Sequence, residues 1–261
     1  MTSSLSQEQA NRAFWERDAD DYQAVHGESL ARAPMAWGVW RIPESTIGFV
    51  GDVRGTRVLE LGCGAAQWSA SLARAGARVV ALDVSAAQLR HAQTRVDRRV
   101  ALVHATGSVL PFADGAFDLV VSDHGAPQFC APAPLLAEVF RVLRPGGRFV
   151  LCLESALHAA TWNERKDRQS KRLHRPMLGT APTTWAEGTT DTVLTDIAWL
   201  RAFTRAGFTI DDAVELVPPD DAQTTFADWV PMRWAQRWPA EVLWRLSRPP
   251  AYPNALFRDK N

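Results

Sequence analysis

Residues 57–76 constrain the fold more than any other stretch. RVLEL is an apolar run of strand length, Gly62 and Gly64 follow it directly, and AAQWSASLARA then reads as a helix up to Gly76. A buried strand that turns through glycine straight into a helix is the opening of a β-α unit. The alternation continues. ARVVALD reads as a second strand, and Ser85 as the cap of a helix carrying Leu89, Ala92 and Val96, with Gln88 at the capping-box position. VALVHA and FDLVVS are a third and a fourth strand, PLLAEVFRVL a helix stopped by Pro145 and Gly146, and RFVLCLES a fifth strand. This order predicts an α/β fold: a doubly wound, mostly parallel sheet with helices on both faces and right-handed crossovers.

The flanks differ in texture. Residues 5–26 read as an amphipathic helix with Ala10, Phe14, Tyr22 and Val25 on one face, and 27–50 as irregular. WNERKDRQSKRLHR is a charged segment expected to be helical, and a Thr-, Pro- and Gly-rich stretch follows it. IAWLRAFTRAGF is a helix closed by Gly207, and TIDDAVELV a last strand. No partner strand is evident for it in the Trp-rich tail, which reads as helical from Thr224 to Arg248 with breaks at Pro231 and Pro239. The expected organisation is a single domain over 1–261. It has an N-terminal lid (1–50), a cofactor-binding core (55–154), a substrate-side insertion (155–195) and a C-terminal completion of the core (196–261).

Composition narrows the partners. With 29 basic and 29 acidic residues the net charge is zero, which does not favour nucleic acid. Arg165 to Arg175 holds the one dense basic run; it reads as a solvated face, with an acidic substrate group at a pocket rim as the alternative. Three widely spaced cysteines, no apolar signal segment and no apolar run of spanning length predict a soluble cytoplasmic protein with free thiols, as monomer or homodimer, with no membrane and no metal. Tryptophan is abundant, 11 against 2 Tyr, and clusters at the two ends, at Trp15, Trp37 and Trp40 and at Trp229, Trp234, Trp238 and Trp244. Such aromatic surfaces suit a flat or apolar ligand.

The glycine turn lies at the carboxyl edge of the sheet, where such folds bind ligands. Gly62 and Gly64 let the backbone approach a ligand, the next helix offers free N–H groups, and Asp83 closes the second strand, where a carboxylate can accept both hydroxyls of a ribose. A dinucleotide turn has Gly or Ala at its third position, but Gln67 stands there, and the turn has no basic residue for a diphosphate. Glu60 before the turn suits a cation. S-adenosylmethionine, with a ribose, a sulfonium and an ammonium but no phosphate, fits these residues better than a nicotinamide dinucleotide.

VLELGCGAAQWS, VVALDVS, LPFADGAFDLVVS and EVFRVLRPGGRFVL, in that order over about residues 55–154, resemble the class I S-adenosylmethionine-dependent methyltransferases. FWERDADDYQ and RWAQRWPAEVLW resemble one bacterial, small-molecule branch of that family. The resemblance implies a Rossmann-like fold. It implies that Glu60, Gly62, Cys63 and Gly64 line the methionine and ribose end of the cofactor, with Asp83 on the ribose and Val84 against the adenine. Ser122 and Asp123 then sit by the methionine portion. The family's Asp near the adenine amino group is replaced here by Thr106, with the Gly107 and Ser108 backbone as substitutes. Tyr22, Trp15, Met35 and Trp37 are lid candidates, and Arg17 is expected at the cofactor carboxylate.

His124, just past the fourth strand, is the candidate general base for a methyl acceptor, with pocket shaping as its alternative. His26 is a second candidate, and His91 and His104 are given no role. The expected reaction is in-line transfer of a methyl group to an O, N or C atom of a small molecule, aromatic or acidic. A nicotinamide-dependent oxidoreductase and a non-catalytic cofactor-binding protein on the same fold are the rivals.

Overall fold

The computed structural model of the chain describes residues 2–32, 35–178, 183–185 and 188–251. The alternating region forms strands β1 (Arg57–Leu61), β2 (Arg78–Asp83), β3 (Val100–His104), β4 (Phe117–Asp123) and β5 (Leu143–Glu154), and the sheet is completed by β6 (Thr209–Glu215) and β7 (Glu241–Ser247). Their order is β6-β7-β5-β4-β1-β2-β3. The first five run parallel, and β7 is antiparallel to both of its neighbours. The longer helices are α1 (Thr2–Arg32), α2 (Gln67–Arg74), α3 (Ala86–Arg95), α4 (Pro132–Val142) and α5 (Asp196–Arg205). This is the expected Rossmann-like architecture. The chain leaves β1 in one direction across the sheet and returns to β4 on its other side, so the carboxyl ends of β1 and β4 flank the crevice where such sheets bind ligands.

Burial on both faces explains the strand composition. Val58, Leu59 and Leu61 are wholly buried, as expected of a strand covered on both sides. One core gathers Trp37, Phe49, Trp68 and Leu72. The other gathers Leu135, Leu136 and Val139 of α4, Phe149 of β5 and Phe203 of α5. A third, smaller cluster joins the chain's two ends, with Val39 and Trp40 against Val230 and Trp234. No described helix is long and apolar enough to cross a membrane.

Three expectations are corrected. The tail is not a run of helices: only Met232–Ala235 is helical, and EVLWRLS is β7, the partner of β6. This strand lies between two others with both faces covered, so it lacks the polar–apolar alternation that marks a strand in sequence. The charged segment is not a helix either. Trp162–Asn163 and Arg168–Gln169 pair as a hairpin, turning through Asp167 at φ 47°. Finally, α1 is longer than expected and presents a different face.

That face is polar. Ala10 and Val25 are exposed, and the inward positions are Gln7, Asn11, Phe14, Ala19 and Gln23. Hydrogen bonds dock the helix. The Asn11 amide donates to the Phe129 and Thr190 carbonyls at 3.0 and 2.7 Å and accepts from the Thr190 N–H at 2.7 Å. Ser85 caps α3 as expected, accepting from the Gln88 N–H. The Gln88 side chain does not close the capping box; its Oε1 accepts from Gln23 of α1 at 2.9 Å.

The position of β7 is tested by truncation. Leu243→Ala, at a fully buried β7 position, is expected to lower the unfolding free energy by ~2–5 kcal/mol in a urea titration. Val25→Ala, on the exposed face of α1, is expected to change it by less than ~0.5 kcal/mol.

Candidate active site

The turn after β1 is shaped by steric necessity. Gly62 sits at φ 75°, and a Cβ there would lie 2.3 Å from the Ala126 nitrogen. No side chain fits. The Gly62 and Cys63 N–H groups both donate to the Leu82 carbonyl at 2.9 Å, which ties the turn to the end of β2. Asp83 Oδ2 accepts from the Gly64 N–H at 2.8 Å and Oδ1 from the Ser85 N–H at 2.9 Å. Burial raises the Asp83 pKa while these backbone donors oppose the rise. Glu60 is buried behind the turn and accepts from the Ser69 N–H at 2.8 Å and from the Ser69 hydroxyl. Burial, with smaller contributions from the charges of Asp123 and Asp83, pushes its carboxyl up to about 8. The Cys63 thiol is driven well above its usual range by burial.

Gly62, Cys63, Gly64, Asp83, Val84, Thr106 and Gly107 line one cavity together with Glu60, Asp123, His124 and Tyr22. The sequence-derived set therefore converges, with three exceptions. Ser122 is buried with its hydroxyl donating to the Leu61 carbonyl at 2.6 Å, so it joins β4 to β1 and does not face the cavity. Ser108 turns its hydroxyl to Glu8. Arg17 is exposed, its guanidinium 5.4 Å from the Phe14 ring centroid, because Phe14 and Trp15 occupy the inward positions of this turn of α1. The lid candidates divide too. Trp15 and Tyr22 face the cavity, whereas Trp37 is wholly buried in the core and donates to Glu44 at 2.6 Å.

The helix α1 closes the cavity with groups that carry no sequence motif. Glu8 Oε2 accepts from the Thr106 hydroxyl at 2.7 Å, and Oε1 from that of Ser108. A carboxylate thus stands beside Thr106 after all, delivered from about a hundred residues away in sequence. Gln23 Oε1 and Gln67 Nε2, both in the cavity wall, are buried with no hydrogen-bond partner among the described residues. With α1 seated the cavity is about 140 Å3. Small-molecule sites are typically ~300–1,000 Å3, and side chains of α1 form part of the wall that narrows this one.

Asp123 is tethered to the loop before β1: its oxygens accept from the Gly38 N–H at 3.0 Å and from Arg41 at 3.2 Å. Burial first, then the Asp123 charge, pushes the Tyr22 phenol up to about 12, so it stays a neutral hydroxyl. His124 takes a left-handed conformation, φ 50°, at the end of β4. Its Nε2 contacts Glu241 Oε1 and its Nδ1 lies 3.0 Å from Gln128 Oε1. Burial alone would lower the His124 pKa, but the charge and hydrogen bond of Glu241, helped by Asp123 and Glu154, push it up to about 9. Both ring nitrogens face oxygen acceptors, an arrangement that favours the protonated ring. The cause, Glu241, lies on the strand that the sequence reading missed. Asp123, His124 and Cys152 have ligand atoms within 4.8 Å of one another, but Arg41 and Glu241 already engage the first two.

The other histidines lie elsewhere. His26 stacks on Phe226 with centroids 3.9 Å apart and so fastens α1 to the C-terminal segment. His91 pairs with Asp20, and His104 contacts the Val84 carbonyl.

A second cavity of about 370 Å3 shares Tyr22, Asp123 and His124 with the first. Its walls are aromatic: Phe14, Trp15, Phe129, Phe226 and Trp229. Residues 59–151 match the methyltransferase domain family. Over this stretch the core resembles a methyltransferase domain. Over 116 residues the chain is 42% identical to a demethylmenaquinone methyltransferase of Clavibacter sepedonicus, covering 44% of this chain and 46% of that one. The matches span about half the length of several such relatives. An S-adenosylmethionine-dependent methyltransferase of Mesorhizobium loti shares the fold, with TM-score 0.65 and 24% identity over 78% of this chain and 96% of that one. So does a 1,6-didemethyltoxoflavin-N1-methyltransferase of Burkholderia thailandensis, crystallised with its substrate and S-adenosylhomocysteine. Its TM-score is 0.57 and its identity 16%, over 94% of this chain and 90% of that one.

The charge state of His124 is open to measurement. Its ring resonances in NMR are expected to titrate near pH 9, and in Glu241→Gln the midpoint should fall to 6.5 or below. A folded-state pKa raised above the unfolded value of ~6.5 gives stability that is complete below pH 6.5 and is lost as the pH rises through about 9. Wild type is therefore expected to lose unfolding free energy over that window.

Proposed function

We propose that this chain is an S-adenosylmethionine-dependent methyltransferase acting on a planar, largely apolar small molecule. The observation that carries this reading is the meeting of two cavities at Asp123 and His124, one built around the glycine turn and Asp83, the other walled by aromatic rings. Asp83 has lone pairs beyond those used by the Gly64 and Ser85 amides and holds the ribose hydroxyls. Val84 and Gly107 flank the base, and Glu8 and Thr106 stand at its polar edge. Gln23 and Gln67 supply a buried acceptor and donor that have no partner among the described residues, as expected where a polar ligand completes them. Glu60, kept largely neutral by burial, ionises readily beside a ligand cation.

When bound, the cofactor supplies an activated methyl group for in-line displacement by the acceptor. The protein's own part is alignment and exclusion of water, and positioning of this kind is worth ~7–11 kcal/mol of barrier. Trp15, Phe129 and Trp229 hold the acceptor ring between them, and α1 shuts out solvent. The His124 imidazolium favours an acceptor whose reacting oxygen is already ionised, and it takes up no proton itself until it has released one. The curated relatives are named for a quinone-type acceptor, and a planar ring of that kind suits the aromatic walls. A nicotinamide dinucleotide is disfavoured because the turn offers no cation for its diphosphate.

Isothermal titration with S-adenosylhomocysteine tests the reading. Asp83→Ala is expected to weaken binding by at least ~1.5 kcal/mol, the loss for hydrogen bonds to a charged group. Equal affinity in a folded variant would remove Asp83 from the site, and tighter binding of NADH than of S-adenosylhomocysteine would overturn the cofactor. Amide exchange in residues 7–30 should slow when S-adenosylhomocysteine binds. Unchanged exchange there would reduce α1 to packing.

A further inference from the structure

Beyond the aromatic cavity lies another, of about 340 Å3, that shares Gln128, Asp191 and Trp229 with it. Its apolar walls are three indoles, Trp162, Trp185 and Trp229. Its charged groups are all acidic: Glu154 and Asp191 are buried, and Asp167 and Asp228 are exposed at the rim. Among the described residues no Lys, Arg or His lines it. The neighbouring basic side chains already have partners. His158 Nδ1 lies 2.6 Å from Glu154 Oε1, and Arg175 pairs with Glu164. Trp185 donates to Asp191 at 3.0 Å, which fixes the ring beside the carboxylate.

Acids on a surface are usually just solvated. Here they share one cavity with three indoles, and that combination selects by charge. Indole faces attract a cation through the ring quadrupole, and carboxylates form strong hydrogen bonds with an ammonium. A neutral apolar chain would strip water from the rim carboxylates of Asp167 and Asp228 without compensation, and an anion would be repelled. The Trp185 ring already accepts a cation: the Arg175 guanidinium lies over it, 4.1 Å from the centroid. Every indole and carboxylate of the cavity except Glu154, which lies three residues past the boundary, comes from the 155–195 insertion or the C-terminal segment, and none from the matched domain at 59–151.

We propose that this cavity receives the positively charged amine arm of the methyl acceptor, whose planar ring occupies the adjoining aromatic cavity. The inference rests on the reading of that adjoining cavity as the acceptor site. It separates this chain from a transferase for a neutral, apolar-tailed molecule. Trp229, whose ring lies at the edge of His124 with centroids 5.9 Å apart, forms the shared wall, so ring and arm are read by neighbouring surfaces.

The test is isothermal titration of the full chain with 4-(2-aminoethyl)phenol and with neutral 4-ethylphenol, each with and without S-adenosylhomocysteine. The amine is expected to bind roughly tenfold more tightly than the neutral phenol, and added salt should narrow the gap. The rim variant Asp167→Asn/Asp228→Asn, whose side chains are solvent-exposed, should keep the fold and S-adenosylhomocysteine affinity while losing most of that preference. Equal or tighter binding of 4-ethylphenol overturns the proposal. So does an unchanged preference in the rim variant, and so does absence of binding by either probe to a chain that binds S-adenosylhomocysteine. Loss of S-adenosylhomocysteine binding in the wild type would instead overturn the methyltransferase reading, and the comparison of probes would still report on this cavity.

Discussion

The buried carboxylate of Glu241 holds the functional end of this molecule together. It stands at the start of β7, is 2% exposed, accepts from the Val39 N–H at 2.8 Å and pairs with His124 at the end of β4. Gly38 passes so close that a Cβ would come within 2.6 Å of the carboxylate oxygen. One side chain thus joins the N-terminal loop, the C-terminal strand and the edge of the crevice. The Glu241 charge and hydrogen bond in turn raise the pKa of His124. Removing His124 would leave the buried carboxylate without that partner, at a cost of ~3–5 kcal/mol. The pair therefore links structure to chemistry: the arrangement that positions His124 also fixes its charge.

The docking of α1 follows a different physical rule. A large apolar face would hold a helix firmly, because exposing such a face costs about 25 cal/mol per Å2. The inward side of α1 is mostly amide and carboxylate. Asn11, Glu8, Glu16 and Gln23 bond to the loops after β2, β3 and β4 and to α3. Such bonds exchange with water at a small net cost, ~0.5–1.5 kcal/mol each. Phe14 and the Tyr22–His26–Phe226 stack add a limited apolar anchor. The composition of α1 is thus suited to a helix that docks specifically yet reversibly.

The division between core and periphery also explains what similarity to other proteins conveys. The glycine turn, Asp83 and the edge of β4 lie within the matched residues 59–151. Apart from Phe129, the aromatic walls come from segments outside that range, as do the indoles and acids of the neighbouring cavity and Glu241. The glycine turn and Asp83 therefore belong to the shared domain, while most of the indole and acid surfaces are this chain's own additions to it.

What could be read from the sequence was local. The strand–glycine–helix turn, the Ser85 cap and the acid at the end of β2 depend on residues within a few positions of one another, so spacing alone reveals them. The same holds for the buried parallel strands, whose continuous apolar runs are bounded by turn residues. What the tertiary structure decided was non-local. EVLWRLS becomes a central strand only because β5 and β6 cover its edges, and Glu241, from its end, sets the charge of His124 more than a hundred residues earlier. Glu8 reaches Thr106 only because α1 folds across the sheet. The charged run becomes a hairpin that carries Trp162 and Asp167 to one cavity, where their chemistry depends on Asp191 and Trp229 brought from elsewhere. Periodicity and turn chemistry act over one or two turns of chain, whereas burial, pairing and electrostatic environment are properties of neighbours that only the folded chain selects.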